Sequence, residues 1–128
     1  MKDLLFIEGN RQNINKENVK QAYHKIKSLG YIHSMPIEYI PMNEAIDKIG
    51  NRKLFKATVV RNTGEGEPTI SNFKIIIEVV KPEDYSKHDG VCTDGQHRDL
   101  ALQFPTLSEA TPAHMEIQIP EAMDIISY

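Results

Sequence analysis

Five consecutive residues, Asp94-Gly95-Gln96-His97-Arg98, hold the side chains best suited to chemistry in this 128-residue sequence. The residues before them predict a strand and those after Gly95 predict a helix, so the turn presents backbone N–H groups at a helix start. Those donors and the helix dipole favour an anion. Because Gly95 has no Cβ, a ligand can approach the backbone closely there. The turn is therefore a candidate phosphate-binding site.

Three side chains of this turn could act on a bound phosphate. Arg98 offers a planar fork of donors that suits phosphate oxygens, and His97 offers a hydrogen bond or, when protonated, a positive charge. Asp94 could hold Mg²⁺ beside the phosphates or act as a base, but N-capping of the helix is the commoner role. One glycine is a weaker signature than a Gly-rich loop, and a solvated turn fits the same residues.

The elements that position the turn follow from the apolar pattern. Leu4 to Ile7 predicts a first strand, and a helix follows between the N-cap Asn15 and the stop signal Gly30. Residues 37–40 predict a strand, and residues 43–49 a short helix. Apolar positions three or four apart predict one buried stripe on the first helix, formed by Val19, Ala22, Tyr23, Ile26 and Leu29.

Two β-branched runs, residues 55–60 and 73–80, predict a β-hairpin with a long acidic tip. The second run is apolar at nearly every position, which predicts an interior strand covered on both faces. A polar loop over residues 82–90 separates it from a short strand at 91–93. A helix from about Gln96 then buries Leu100, Ala101 and Phe104 before Pro105 ends it. A strand at 114–119 and a final helix from Pro120 complete the predicted elements.

Length and composition bound the class of protein. The chain fits one domain over residues 1–128, and its end soon after a helix start indicates that the natural protein could be longer. We expect no membrane partner, because no apolar run approaches the roughly 20 residues of a membrane span. The apolar stretch at the N-terminus is too short for a signal peptide, and the single Cys92 cannot form an internal disulfide. Both features predict a cytoplasmic setting. The net charge of −3 disfavours strong non-specific nucleic-acid binding by the domain alone.

Residues 94–98, followed by Asp99-Leu100-Ala101, resemble the signature box of the ParB/sulfiredoxin-like fold. ParB proteins have Gly-Glu-Arg-Arg at this place and sulfiredoxins Gly-Cys-His-Arg. A set of DGQHR-type proteins, some linked to DNA modification and to phage or mobile elements, has these same five letters. The order of predicted elements also agrees over residues 4–104, including a polar box with Asn10-Arg11. The resemblance implies an α+β fold with a mixed sheet flanked by helices, on which the hairpin of residues 53–80 is an elaboration.

The resemblance also implies that the boxed turn binds nucleotide phosphates. Asp94 and His97 are then the candidate catalytic residues, and no metal site is predicted beyond Mg²⁺ bound with the nucleotide. His88, Cys92 and His97 do not have the spacing of a zinc site, and Cys92 is better interpreted as a small buried residue. The residues that would hold a nucleotide such as CTP or ATP are Gly95, Gln96, His97, Arg98 and, from across the cleft, Arg11.

Departures from the family pattern limit which of its activities the chain can have. Gln96 stands where sulfiredoxins have their cysteine. Residues 10–13 lack the glutamate that free-serine kinases, which share this fold, use as base. No helix-turn-helix domain of the ParB type fits in the chain. We therefore expect a nucleotide-binding domain, either a slow nucleoside-triphosphate hydrolase or a switch in a DNA-related system.

Two alternatives stay open. One is a non-catalytic DNA-associated regulatory module of a plasmid, phage or DNA-modification system, which would bind DNA through a partner domain or as a homodimer. The other is a ParB-like nuclease, which would need clustered carboxylates or histidines for metal ions.

Overall fold

A computed structural model describes residues 1–11, 14–31 and 35–117, apart from the side chains of residues 10 and 11. Its helices are α1 (Glu8–Arg11), α2 (Lys16–Leu29), α3 (Met42–Ala45) and α4 (Gln96–Ala101), with 3₁₀ turns at Pro82–Lys87 and Pro105–Leu107. Its strands are β1 (Leu4–Ile7), β2 (Ile37–Pro41), β3 (Leu54–Val60), β4 (Lys74–Val79), β5 (Gly90–Asp94) and β6 (His114–Glu116).

All six described strands belong to one mixed sheet, in the order β4-β3-β1-β5-β2-β6. The pairs β1–β5 and β2–β6 are parallel, and the other pairs are antiparallel. The predicted α+β class is confirmed, as is the hairpin, which β3 and β4 form. No helix within the described ranges has the length and apolarity that crossing a membrane requires.

The two faces of the sheet bury separate hydrophobic clusters, and β1 contributes to both. Leu4 and Phe6 pack in the cluster that contains the buried apolar residues of α2 and α4. Leu5 and Ile7 point to the opposite face and pack in the cluster that contains Met42 and Ala45 of α3. The unbroken apolar run of β1 is therefore that of a strand covered on both faces.

Helix α2 begins and ends where its capping residues predict. The Asn15 side chain accepts a hydrogen bond from the Asn18 N–H at 2.9 Å, and Gly30 adopts a φ of 75° and donates to the Ile26 carbonyl at 2.8 Å. The buried stripe is confirmed for most of its members, but Leu29 is 73% exposed. Its inclusion in the buried stripe was wrong, because the core ends at Ile26 and the last turn of α2 extends past it.

The interpretation of residues 73–80 as an interior strand is wrong. Within the described part of the chain β4 pairs with β3 alone, at the end of the strand order. Ile75 and Ile77 pack against the hydrophobic core, whereas Lys74 and Glu78 are exposed on the other face. The apolar run marks a strand whose one face is covered and whose outer edge is open.

Several short elements differ from the expected ones. The turn-rich segment after β1 contains α1, the predicted helix at 43–49 is the single turn α3 followed by further turns, and the loop at 82–90 contains a 3₁₀ turn. Strand β6 covers His114–Glu116, and residues 118–119 of the predicted strand lie outside the described residues. The predicted helix from Pro120 lies outside the described residues.

The topology brings two segments together at the carboxyl ends of neighbouring strands. Because β1 and β5 are parallel neighbours, with Leu4 beside Gly90 and Leu5 beside Val91, their carboxyl ends lie side by side. Helix α1 follows β1 there, and the turn at Gly95 follows β5. In open sheets, ligands commonly bind just beyond the carboxyl ends of such strands.

Candidate functional site

The turn between β5 and α4 is formed by Gly95, which has φ 91° and ψ 25° and occupies the N-cap position without a side-chain capping bond. The Asp99 N–H donates to the Gly95 carbonyl at 2.9 Å and closes the first helical turn. An N-capping role for Asp94 is therefore wrong, since Asp94 is the last residue of β5. The first-turn amides of α4 have no acceptor within the helix itself.

Gly95 is required both by its backbone conformation and by its neighbours. A φ of 91° is strained for residues with a side chain. A Cβ at this position would also lie 2.9 Å from Arg98 Nη2 and 3.3 Å from the Ile37 Cα. The glycine thus permits a close approach, but the group that uses it in this structure is the protein's own guanidinium.

The Arg98 guanidinium folds back over Gly95 and bonds within the protein. Its Nη2 donates to the Pro36 carbonyl at 3.1 Å and lies 3.6 Å from the Asp94 carboxylate. The Tyr31 hydroxyl is within hydrogen-bonding distance of the same group. Arg98 therefore joins the turn to the segment that leads into β2, a structural role that no sequence pattern indicated. Its binding to phosphate stays a prediction.

Tyr31 extends this connection toward β6. Its hydroxyl lies 3.1 Å from the Met35 carbonyl and 3.3 Å from the Ala113 carbonyl, and its one proton can be donated to either of them. Burial raises the pKa of Tyr31, and the nearby Arg98 charge opposes that rise. The phenol therefore stays neutral and serves as a hydrogen-bonding group beside the turn.

A cleft of about 440 Å³ lies between α2 and the turn. Its polar lining comes from Asn18, Gln21 and Lys25 of α2 and from residues 94–98. Its apolar lining comes from Ala22, Ile26, Leu29, Tyr31 and Met35. The structure thus places Asp94, Gly95, Gln96, His97 and Arg98 along one cleft, and their role in binding stays a prediction.

The cleft also contains residues that were not expected there, and Lys25 and Leu29 are the most informative of them. Lys25 adds a positive charge from α2, and Leu29 is exposed beside Met35, which is 50% exposed. The helical stripe of α2 could have located Lys25, because Gln21, Ala22, Lys25, Ile26 and Leu29 share one side of a helix. Only the position of the turn shows that this side borders a cleft.

Asp94 and Arg98 differ in how accessible their charges are. The Asp94 side chain is 65% exposed, whereas that of Arg98 is 23% exposed. The Arg98 Nε is buried and has no hydrogen-bond partner within the described structure. Asp94 partly balances the Arg98 charge, and Lys25 contributes a second cationic side chain to the cleft lining.

Behind the turn, Asp99 is a buried carboxyl group. It is 1% exposed and its Oδ1 has no hydrogen-bond partner among the described groups. Burial raises the pKa of Asp99 to about 7, and the Lys56 charge only partly opposes this. Asp99 does not line the cleft. No sequence pattern indicated it, because an acidic residue in a first helical turn is usually solvated.

Cys92 is fully buried in β5, as predicted, and burial raises the pKa of its thiol far above the ordinary value. His88 instead pairs with Asp3, their Nδ1 and Oδ2 atoms 2.9 Å apart. Among the described residues no group of three or more His, Cys, Asp or Glu side chains is placed to hold a metal ion. The Arg11 side chain lies outside the described residues, so its contact with the turn stays a prediction.

The order of elements that the ParB/sulfiredoxin resemblance implies is present: a first strand, a helix, a strand after Pro36 and the boxed turn. The family assignment itself stays a prediction. Comparisons of the chain with protein-family models, with curated proteins and with solved structures found no match.

Proposed function

We propose that the cleft binds a nucleotide, with its phosphates at the first turn of α4. The observation that supports this most is that Lys25 and residues 95–97 line the same cleft. Its volume of about 440 Å³ lies in the range of about 300–1,000 Å³ that small-molecule sites occupy.

Each polar group has a role in holding the phosphates. The amides after Gly95 and the helix dipole attract the anion, and Lys25 adds a compact charge that suits a terminal phosphate. His97 would add a hydrogen bond. The exposed Asp94 carboxylate would share Mg²⁺ with the phosphate oxygens, since such sites need only one or two carboxylates.

The apolar lining suits the remainder of a nucleotide. Ile26, Tyr31, Met35 and Leu29 present apolar surface to the cleft. A base stacked against them would shield Leu29, whose exposure on the free protein is otherwise unfavourable. The combination of an anion-binding turn and an apolar wall favours a nucleotide over inorganic phosphate.

A slow nucleoside-triphosphate hydrolase or a nucleotide-dependent switch is the form of this function that the resemblance implies. Catalysis would consist of positioning and charge stabilisation, with Asp94 and His97 beside the phosphates. The DNA-associated module and the nuclease stay predictions, because no contact within the described residues favours either over nucleotide binding.

Calorimetric titration with CTP, ATP and ADP in the presence of Mg²⁺ tests the proposal. We expect at least one nucleotide to bind with a Kd below about 1 mM. Lys25→Ala should weaken binding about tenfold, because it removes one charge-assisted hydrogen bond. Lys20→Ala is the matched control, since Lys20 lies on the same helix but outside the cleft lining.

No heat of binding with any of the three nucleotides would contradict nucleotide binding. Equal losses of affinity for the two lysine variants would contradict the placement of the phosphates beside Lys25. Hydrolysis is tested separately by phosphate release. Asp94→Asn should slow release while leaving the protein folded, because the Asp94 carboxylate is largely exposed.

A further inference from the structure

Strand β4 leaves one edge of the sheet open. Within the described residues it pairs only with β3, and its sequence is Lys74-Ile75-Ile76-Ile77-Glu78-Val79. An edge strand exposes a row of backbone N–H and C=O groups that can pair with another strand. This run of isoleucines has the high β-propensity that makes such pairing favourable.

The hydrogen bonds of the hairpin show which groups of β4 point outward. The Val80 N–H donates to the Leu54 carbonyl at 2.9 Å, in register with the facing pair Val79 and Phe55. Because antiparallel residues alternate in direction, even-numbered residues of β4 bond to β3 and odd-numbered residues point away. Ile75 and Ile77 therefore present their backbone groups to the open edge.

The neighbouring strand gives the same assignment independently. Gln103 bonds through its side chain to the Val59 N–H at 2.8 Å and to the Ala57 carbonyl at 3.2 Å. Odd-numbered residues of β3 thus direct their backbone groups toward the side of the strand opposite β4. The even-numbered residues bond to β4, as the Val80 contact requires.

We propose that a second copy of this chain pairs with β4 in antiparallel fashion about a two-fold axis at Ile76. This register places Ile75 opposite Ile77 of the other copy, and each of these pairs can exchange two backbone hydrogen bonds. It also places Lys74 of each copy opposite Glu78 of the other, which gives two equivalent charge pairs. Ile76 faces its own symmetry mate between these charge pairs.

Charge complementarity singles out a second copy as the occupant. Lys74 and Glu78 flank Ile76 at equal distances in sequence, so the strand is complementary to itself when it runs antiparallel. Both charges and Ile76 lie on the face that Thr58 shares, where Ile76 is half-buried and Thr58 exposed. The two-fold pairing covers Ile76, and it closes as a dimer because both copies use the same edge.

Sedimentation velocity on the full chain, from about 1 µM to about 1 mM, tests the dimer over the range of weak interfaces. We expect a reversible shift from monomer to dimer. Lys74→Glu alone and Glu78→Lys alone should each raise the dimer Kd about tenfold or more, because two attractive pairs become repulsive. The double variant should restore the dimer, and so should an equimolar mixture of the two single variants.

A second pair of variants guards against changes in folding. Ile76→Lys places like charges opposite each other on the two-fold axis and should abolish the dimer. Thr58→Lys is its matched control, since Thr58 is the β3 partner of Ile76 and lies one strand inside the edge. Far-UV circular dichroism should show both variants folded.

A chain that stays monomeric up to about 1 mM would overturn the proposal, since micromolar to millimolar Kd values define a weak interface. Lys74 and Glu78 would then be charges that protect an edge from aggregation. A dimer that the single charge reversals leave unchanged, or that neither the double variant nor the mixture restores, would overturn the register. None of these results depends on nucleotide binding.

Discussion

Replacing Asp99 by asparagine should stabilise the protein above about pH 7 and change its stability little below about pH 4. Asp99 is 1% exposed, and its Oδ1 has no hydrogen-bond partner among the described groups. Burial raises the pKa of this carboxyl from 3.8 to about 7, while the Lys56 charge and the N-terminal amine oppose the rise and Asp3 adds to it. The folded protein therefore pays a cost whenever Asp99 is ionised.

The sign and size of the effect follow from proton linkage. The folded state retains the Asp99 proton at higher pH than the unfolded chain, so stability is full below the unfolded pKa of 3.8 and falls as pH rises through about 7. A shift of about three pKa units corresponds to a loss of about 4 kcal/mol in the free energy of unfolding. Asparagine has a similar shape and cannot ionise, so it should avoid this loss.

Urea denaturation at several pH values from about 4 to about 8.5 measures the difference in the free energy of unfolding between the wild-type protein and Asp99→Asn. The wild-type curve also contains an opposite contribution from Asp3. Partial burial acts to raise the pKa of Asp3, but the hydrogen bonds and charges of Lys56 and His88 together lower it below its usual value. That contribution is common to both proteins and cancels in the difference. A difference that does not vary with pH, or a variant less stable than wild type at pH 8, would refute the reasoning.

Three further substitutions test the turn and the helix that face the cleft. Gly95→Ala should lower the free energy of unfolding by about 1–3 kcal/mol, measured in urea, because of its φ of 91° and the contact with Arg98 Nη2. Asn15→Ala should lower it by about 1 kcal/mol through loss of the α2 cap, without affecting nucleotide affinity in calorimetry. Arg98→Ala should lower the melting temperature as well as the affinity for nucleotide, because the bond to the Pro36 carbonyl is lost. An unchanged melting temperature would contradict the structural role of Arg98.

The parts of the fold that were predicted correctly depend on local chemistry. Asn15 and Gly30 set the ends of α2 through bonds to residues within one turn, so the sequence around them is sufficient. The position of β4 is different, because an apolar run is compatible with an interior strand or with one covered face. Only the strand order, which depends on long-range pairing, places β4 at the edge.

The candidate site likewise combines features set by the local sequence with features set by contacts from distant parts of the chain. The residue types of the turn correctly indicated that residues 94–98 lie together at a strand-to-helix junction. The direction of each side chain depends on neighbours from other parts of the chain. Pro36 and Tyr31 draw the Arg98 guanidinium inward, and nothing in the turn itself predicts that.

This inward turn of Arg98 changes which residue decides ligand affinity. A guanidinium that bonds to a carbonyl and balances Asp94 has less charge to offer an anion, and moving it would leave the Pro36 carbonyl without that donor. Among the described contacts Lys25 makes no hydrogen bond that ligand binding would break, and it lines the cleft from the facing helix α2. If the cleft binds phosphates, Lys25 and the α4 amides must therefore supply most of the attraction, while Arg98 holds the turn in the shape that presents those amides.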